Sequence, residues 1–425
     1  MKALTYILLA LFCATLPASA SPSQDHYSVL DFGAKGDGKT DDTPAFQKAL
    51  DAAGRAGGGL VYAPRGNYFF AGHLNVPGAV TLKGVWESVP SHIGLRDPGA
   101  AKPTDDGTTF LVTENQGKED GPPFIVLNGN STLKGVVLYY PQQDPAGEPK
   151  PYPWAVAMRG ENPAVLAVEL LNPYNGIDAS RNERHLIRDV QGQPLRRGVF
   201  VDSITDIGRI ENVHFNPWWS TQSRLFSWQQ EHGEAFIFGR SDWQYVFNTF
   251  CYGYNIGYKF IQTPTGVCNG NFLGIGADDC DTALVVENCA AVGLLISNGE
   301  FVSFLGPDPT MIRVESSNSG SVRLVNCAFW GPCNQIAKIS GRGTVGFSDC
   351  TFVQWDRNNE NRHALQVASG TILVRGCEFQ QDKPQLELGD SVRRAVFSDN
   401  VITGKLRLTN HSKCSVSLKN NAGDQ

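Results

Sequence analysis

Beyond Leu16 the chain has no apolar run long enough to cross a bilayer. It has no basic run either. With a formal charge of -6 and only 18% charged residues, it carries no stretch that would displace counterions from a phosphate backbone, which excludes nucleic acid as a partner. None of its cysteine spacings is a paired C-x-x-C arrangement, and its 8 histidines are scattered, so a structural metal centre has no ligand set to start from. From Val267 onward no helix-period segment interrupts the sequence, which excludes an alternating helix and strand architecture there.

What is present begins with a leader. Met1-Lys2, the apolar run Leu4 to Leu16, Pro17 and the small-residue site Ala18-Ser19-Ala20 follow the three-part pattern of a cleavable signal peptide, so residues 1–20 are expected to be removed. The mature chain, 21–425, is expected in a secreted or periplasmic location and off the membrane. Its nine cysteines all lie between Cys251 and Cys414, and an odd number leaves at least one thiol unpaired within the chain.

One short phrase recurs through the second half: Asn269-Gly-Asn-Phe272, Asn298-Gly-Glu-Phe301, Asn326-Cys-Ala-Phe329, Asp349-Cys-Thr-Phe352, Gly376-Cys-Glu-Phe379 and Asp399-Asn-Val-Ile402. The steps of 23 to 29 residues are those of a stacked solenoid coil, and each phrase follows a short apolar strand. Stacking like positions at about 4.8 Å turns the recurring Phe into a ladder inside a tube. Cys327, Cys350 and Cys377 fall on one rung position, read here as small apolar filling. The expected fold is all-β: a single-stranded right-handed parallel β-helix of about ten coils.

The amino-terminal end adds a specific phrase, Val29-Leu-Asp-Phe-Gly-Ala-Lys-Gly-Asp-Gly-Lys-Thr-Asp-Asp-Thr-Pro-Ala-Phe-Gln-Lys-Ala-Leu50, followed by Gly57-Gly-Gly-Leu-Val-Tyr-Ala-Pro-Arg-Gly-Asn-Tyr68. Asp42 or Thr43 is placed to cap a helix with Pro44 in its first turn, and Ala45, Phe46, Ala49 and Leu50 give that helix one apolar face with which to cover the open end of a solenoid. This segment resembles the start of the pectate-lyase-like domain of rhamnogalacturonases, polygalacturonase relatives and epimerase-like proteins. The resemblance implies the fold and an acidic or pectin-like polysaccharide as substrate.

Glycoside hydrolysis needs two carboxyl groups on one wall of a groove. The richest acid cluster is Asp278-Asp279-Cys280-Asp281. Strand alternation with Cys280, Thr282, Leu284 and Val286 inward turns Asp279 and Asp281 outward, and the paired aspartates resemble the motif of polygalacturonase-type hydrolases. By that resemblance Asp279 is the candidate general acid, with Asp278 or Asp281 activating water. No Asn-Thr-Asp precedes the cluster by a coil and no Gly-His-Gly follows it.

A second constellation contains Trp218, Trp219, Trp228, Glu231, His232, Glu234, Arg240, Asp242 and Trp243. Flat indole faces for sugar C–H groups, with acids and Arg for hydroxyls or uronate, make this the expected substrate-binding wall; Glu234 and Asp242 are reserve catalytic candidates. The polar segment Arg184 to Arg197 is read either as a basic extension of the groove or as a solvated loop. The resulting expectation is a glycoside hydrolase acting through paired carboxylates without an organic cofactor. Its alternatives are a polysaccharide lyase, which would neutralise uronate with Ca²⁺ or Arg, and a non-catalytic glycan-binding β-helix.

Overall fold

The computed structural model describes residues 25–92 and 102–424; the expected leader lies outside them. The chain winds as a right-handed parallel β-helix with three faces. The first face begins with His26–Ser28 and Gly59–Tyr62, the second with Asp37–Asp41 and Gly66–Phe70, and the third with Leu74–Val76 and Ile125–Leu127. Each strand pairs in parallel with its counterpart one coil on. Counted down the third face from Leu74–Val76 to Leu408–Asn410, thirteen coils stack among the described residues, more than the ten expected.

The first helix, α1 (Thr43–Arg55), closes the open end. Its buried Phe46 meets Tyr68, Phe70 and Phe110 edge-on at centroid distances of 5.0, 5.0 and 5.4 Å. The cap differs from the sequence expectation. Asp42 makes no side-chain bond to the helix; its carboxylate turns back to accept from the backbone N–H groups of Lys35 (2.6 Å) and Gly36 (3.1 Å), fixing the glycine turn. Asp41 takes over the first turn, accepting from Thr43 N–H at 3.0 Å and Thr43 hydroxyl at 2.6 Å.

Phe301, Phe329, Phe352 and Phe379 stack in register inside the second face, with ring centroids 5.5, 5.3 and 4.7 Å apart. Phe272 does not join them. It lies on the first face opposite Ile296 and packs against Phe238 and Phe260, while Ala277 occupies the place opposite Phe301. The polar residue opening each phrase turns the chain from first to second face in the left-handed conformation: Asn298, Asn326, Asp349 and Asp399 have φ of 54°, 51°, 54° and 59°. Asn and Asp tolerate this region, and stacked amides bond from coil to coil, as from Asn326 Nδ2 to Asn298 Oδ1 at 2.9 Å. Cys327, Cys350 and Cys377 are buried on one rung beside that turn.

Candidate functional site

A groove of about 620 Å³ opens on the third face. It is built by strand alternation. In Trp154–Met158, Asn175–Ser180, Arg197–Asp202, Glu234–Phe238 and Ile256–Phe260, the register row Val156, Ile177, Val199, Phe236 and Tyr258 is fully buried. The next row, Asp178, Phe200, Ile237 and Lys259, therefore lines the groove floor. Trp154 and Phe200 lie with ring centroids 6.2 Å apart and planes 19° from parallel, and the Arg197 guanidinium sits 5.8 Å over the indole.

Carboxylates and cations alternate over this floor. Asp178 pairs with Arg159 and accepts from Ser180 N–H at 3.0 Å. Asp202 Oδ1 accepts from Arg240 N–H at 2.8 Å, Thr263 hydroxyl at 2.8 Å and Thr265 hydroxyl at 3.0 Å, which fixes its orientation. Ser180 and Asp202 are register partners, so Asp178 and Asp202 stand diagonally on adjacent strands. Ideal strand spacing puts their Cα atoms roughly 8 Å apart, and both residues line the same groove. Glu234 pairs with Lys259 at 2.9 Å, and Arg197 reaches Glu119 at 3.4 Å. Arg181 lines the groove with no carboxylate partner among the described residues.

The sequence-predicted residues divide between this groove and other places. Glu234 lines the groove, and Arg240 with Asp242 (3.2 Å) stands at its rim, where the Arg240 backbone N–H holds Asp202. Of the polar segment, Arg196 and Arg197 reach Glu234 and the groove, whereas Arg184 pairs with Asp206 at 2.5 Å, away from it. The tryptophans do not form one wall. A helix the sequence reading did not foresee, α2 (Ser223–His232), redirects them. Trp219 is 2% exposed in a satellite cluster with Val137, Leu171, Leu195 and Leu225. Trp228 packs between Tyr174 and His232, and Trp218 packs on His214 at 4.7 Å. Trp243 is 63% exposed at the corner leading into the first face.

The aspartate cluster lies under α2. Cys280, Thr282, Leu284 and Val286 are buried as the alternation requires, and Asp281 faces a pocket of about 290 Å³ that Gln230 and Glu231 also line. Asp279 breaks the alternation: its φ is +51°, it is 5% exposed, and it accepts from Gln230 Nε2 at 3.0 Å. Burial raises its carboxyl to about 6, and burial likewise raises Asp278 and Asp281. Missing from the sequence reading were Trp154, Asp178, Arg181, Phe200, Asp202 and Lys259. Their only local signal was the i, i+2 spacing of Asp178 with Ser180 and Phe200 with Asp202 inside apolar strands.

Comparison with known proteins fits this architecture. The family model for rhamnogalacturonase A/epimerase, pectate lyase-like, matches residues 26–98. Alginate lyase 7 of Azotobacter vinelandii is 67% identical over 46 residues, 11% of this chain and 5% of that protein. Mannuronan C5-epimerase AlgE2 of the same organism is 39% identical over 108 residues, 24% of this chain and 11% of its own length. The matched stretches thus span about a tenth or less of these relatives. Among solved structures, the amino-terminal fragment of bacteriophage Phi29 gene product 12 superimposes with TM-score 0.67 at 13% identity, covering 93% of this chain and 70% of that one. The catalytic unit of a GH87 α-1,3-glucanase from Streptomyces thermodiastaticus gives 0.52 at 16% identity, over 84% and 69%. The chain is a right-handed parallel β-helix whose first coils carry the pectate-lyase-like rhamnogalacturonase and epimerase signature.

Proposed function

We propose that this protein is an exported carbohydrate-active enzyme that hydrolyses an acidic polysaccharide in the third-face groove. The observation that carries this reading is the groove floor itself. A stacked Trp154–Phe200 pair offers apolar faces to sugar rings, Arg181, Arg197 and Lys259 suit uronate carboxylates, and Asp178 and Asp202 bring two carboxyl groups to one wall, as glycoside hydrolysis requires. The partial matches to proteins named for alginate and mannuronan support a uronate-containing substrate.

Asp178, oriented by Arg159 and by the Ser180 N–H, is the base that activates water. Asp202 is the acid that protonates the leaving oxygen. The Asp279 cluster supports a second reading, with the acid pair under α2, because Asp279 already sits near 6.

Substitution separates the two. Asp202→Asn is expected to lower the release of reducing ends from polygalacturonate or alginate oligosaccharides by at least about a hundredfold with the fold intact, whereas Asp279→Asn leaves it within a few-fold. The reverse pattern moves the chemistry to the cluster. A product absorbing in the ultraviolet replaces hydrolysis with elimination.

A further inference from the structure

Around the corner from the groove, the first face carries an aromatic rib. Trp243, Tyr245 and Phe247 alternate along one strand, Ser241–Tyr252, and are 63%, 43% and 52% exposed. Successive rings leave the strand about 6.6 Å apart. The next coils extend the surface with Leu273, Leu295 and Val325, 39%, 45% and 42% exposed, around a shallow depression of about 230 Å³. None of the three rings packs on another aromatic among the described residues, and each leaves two-fifths or more of its surface exposed.

The backbone at Trp243 argues the same way. Its φ is +55°, and the same corner of the earlier coils holds Asn130, Asn162, Arg184 and Ile207 with φ of 60°, 51°, 58° and 41°, so the turn accepts varied side chains and does not itself dictate an indole. Trp243 therefore stands exposed where packing does not hold it and a ligand can reach it.

Charge identifies the ligand. Arg209 is the register partner of Tyr245, and Arg323 is the register partner of Leu295, so the two guanidinium groups flank the apolar strip. Neither has a carboxylate partner among the described residues; the one acid on the strip, Glu211, lies opposite Phe247. Pressing this face against a second copy would desolvate those guanidinium groups without pairing them, which is costly. A polyanionic sugar chain supplies flat apolar ring faces and carboxylates together.

We infer that the first face is a second, non-catalytic binding surface for acidic polysaccharide, which holds polymer while the groove on the third face works on it. This inference rests on the proposed substrate class but not on the location of the chemistry. Its test is retardation of the full chain in native gels containing polygalacturonate, alginate or a neutral β-glucan, with turnover of short uronate oligosaccharides measured in parallel.

Tyr245→Ala combined with Phe247→Ala is expected to weaken retention by the two polyanions at least tenfold and to leave oligosaccharide turnover unchanged; Arg209→Ala with Arg323→Ala should reduce both retention and its sensitivity to salt. Because all four side chains are on the surface, thermal unfolding should be unaltered. Asp202→Asn should lose turnover and keep polymer retention, so turnover that survives this change counts against the groove and not against the rib. Undiminished retention in the double aromatic variant overturns the inference. So does a sedimentation velocity shift from dimer to monomer in that variant, which would make the face a self-association surface.

Discussion

Asp279 is a carboxyl group turned inward by its own backbone. Its left-handed conformation, at φ +51°, carries the side chain under α2, where loss of water raises it from 3.8 to about 6. A carboxyl raised on folding stabilises the folded state fully below the unfolded value, and that contribution is lost as pH rises through about 6. Asp279→Asn keeps the shape, tolerates the left-handed region and removes the charge. It is expected to raise stability by about 1–2 kcal/mol at pH 7 and by nothing at pH 3.5, read by chemical denaturation at the two pH values.

At the scale of the coil element, two rows do different work. The Phe row fills the tube: Phe329 touches Phe301, Phe347 and Phe352 and is fully buried. Phe329→Ala is expected to cost on the order of 3–5 kcal/mol, because stacked coils on both sides prevent the cavity from collapsing. A near-neutral shift in denaturation midpoint would contradict the ladder. The Asn and Asp row does not fill space; it supplies left-handed turns and a line of amide bonds, so its side chains were legible in the sequence as turn residues while their stacking was not. Periodicity also misled at one coil, where Asn269 to Phe272 imitates the repeat although the second-face position is held by Ala277.

For the whole molecule, a buried pair ties His92 to the solenoid wall at Glu169. His92 Nδ1 lies 2.5 Å from Glu169 Oε2 and its Nε2 lies 2.9 Å from Asp106, while the His92 backbone N–H bonds Glu169 Oε1 at 2.7 Å. Burial alone would lower the imidazole; the Glu169 and Asp106 carboxylates overcome it and hold the ring protonated to about 9. A histidine raised on folding gives stability that is complete below the unfolded value of 6.5 and lost as pH rises through about 9. The wild type should therefore lose stability between pH 6.5 and 9. His92→Ala, which leaves Glu169 buried without its cation, should cost about 3–5 kcal/mol at pH 6.5 and flatten that decline.

The sequence by itself determined the solenoid, the α1 cap and the turn chemistry, because these depend on local periods and on residues that tolerate special backbone angles. It also exposed Glu234, Arg240, Asp242 and Arg197 as polar groups on an apolar scaffold. The groove was decided only by tertiary structure. Trp154, Asp178, Phe200, Asp202 and Lys259 lie up to four coils apart along the chain, and register alone brings them to one floor. The tryptophans were legible as a cluster but were sent to different environments by α2. A sequence window records how near residues are along the chain, whereas parallel stacking makes neighbours of residues one coil apart.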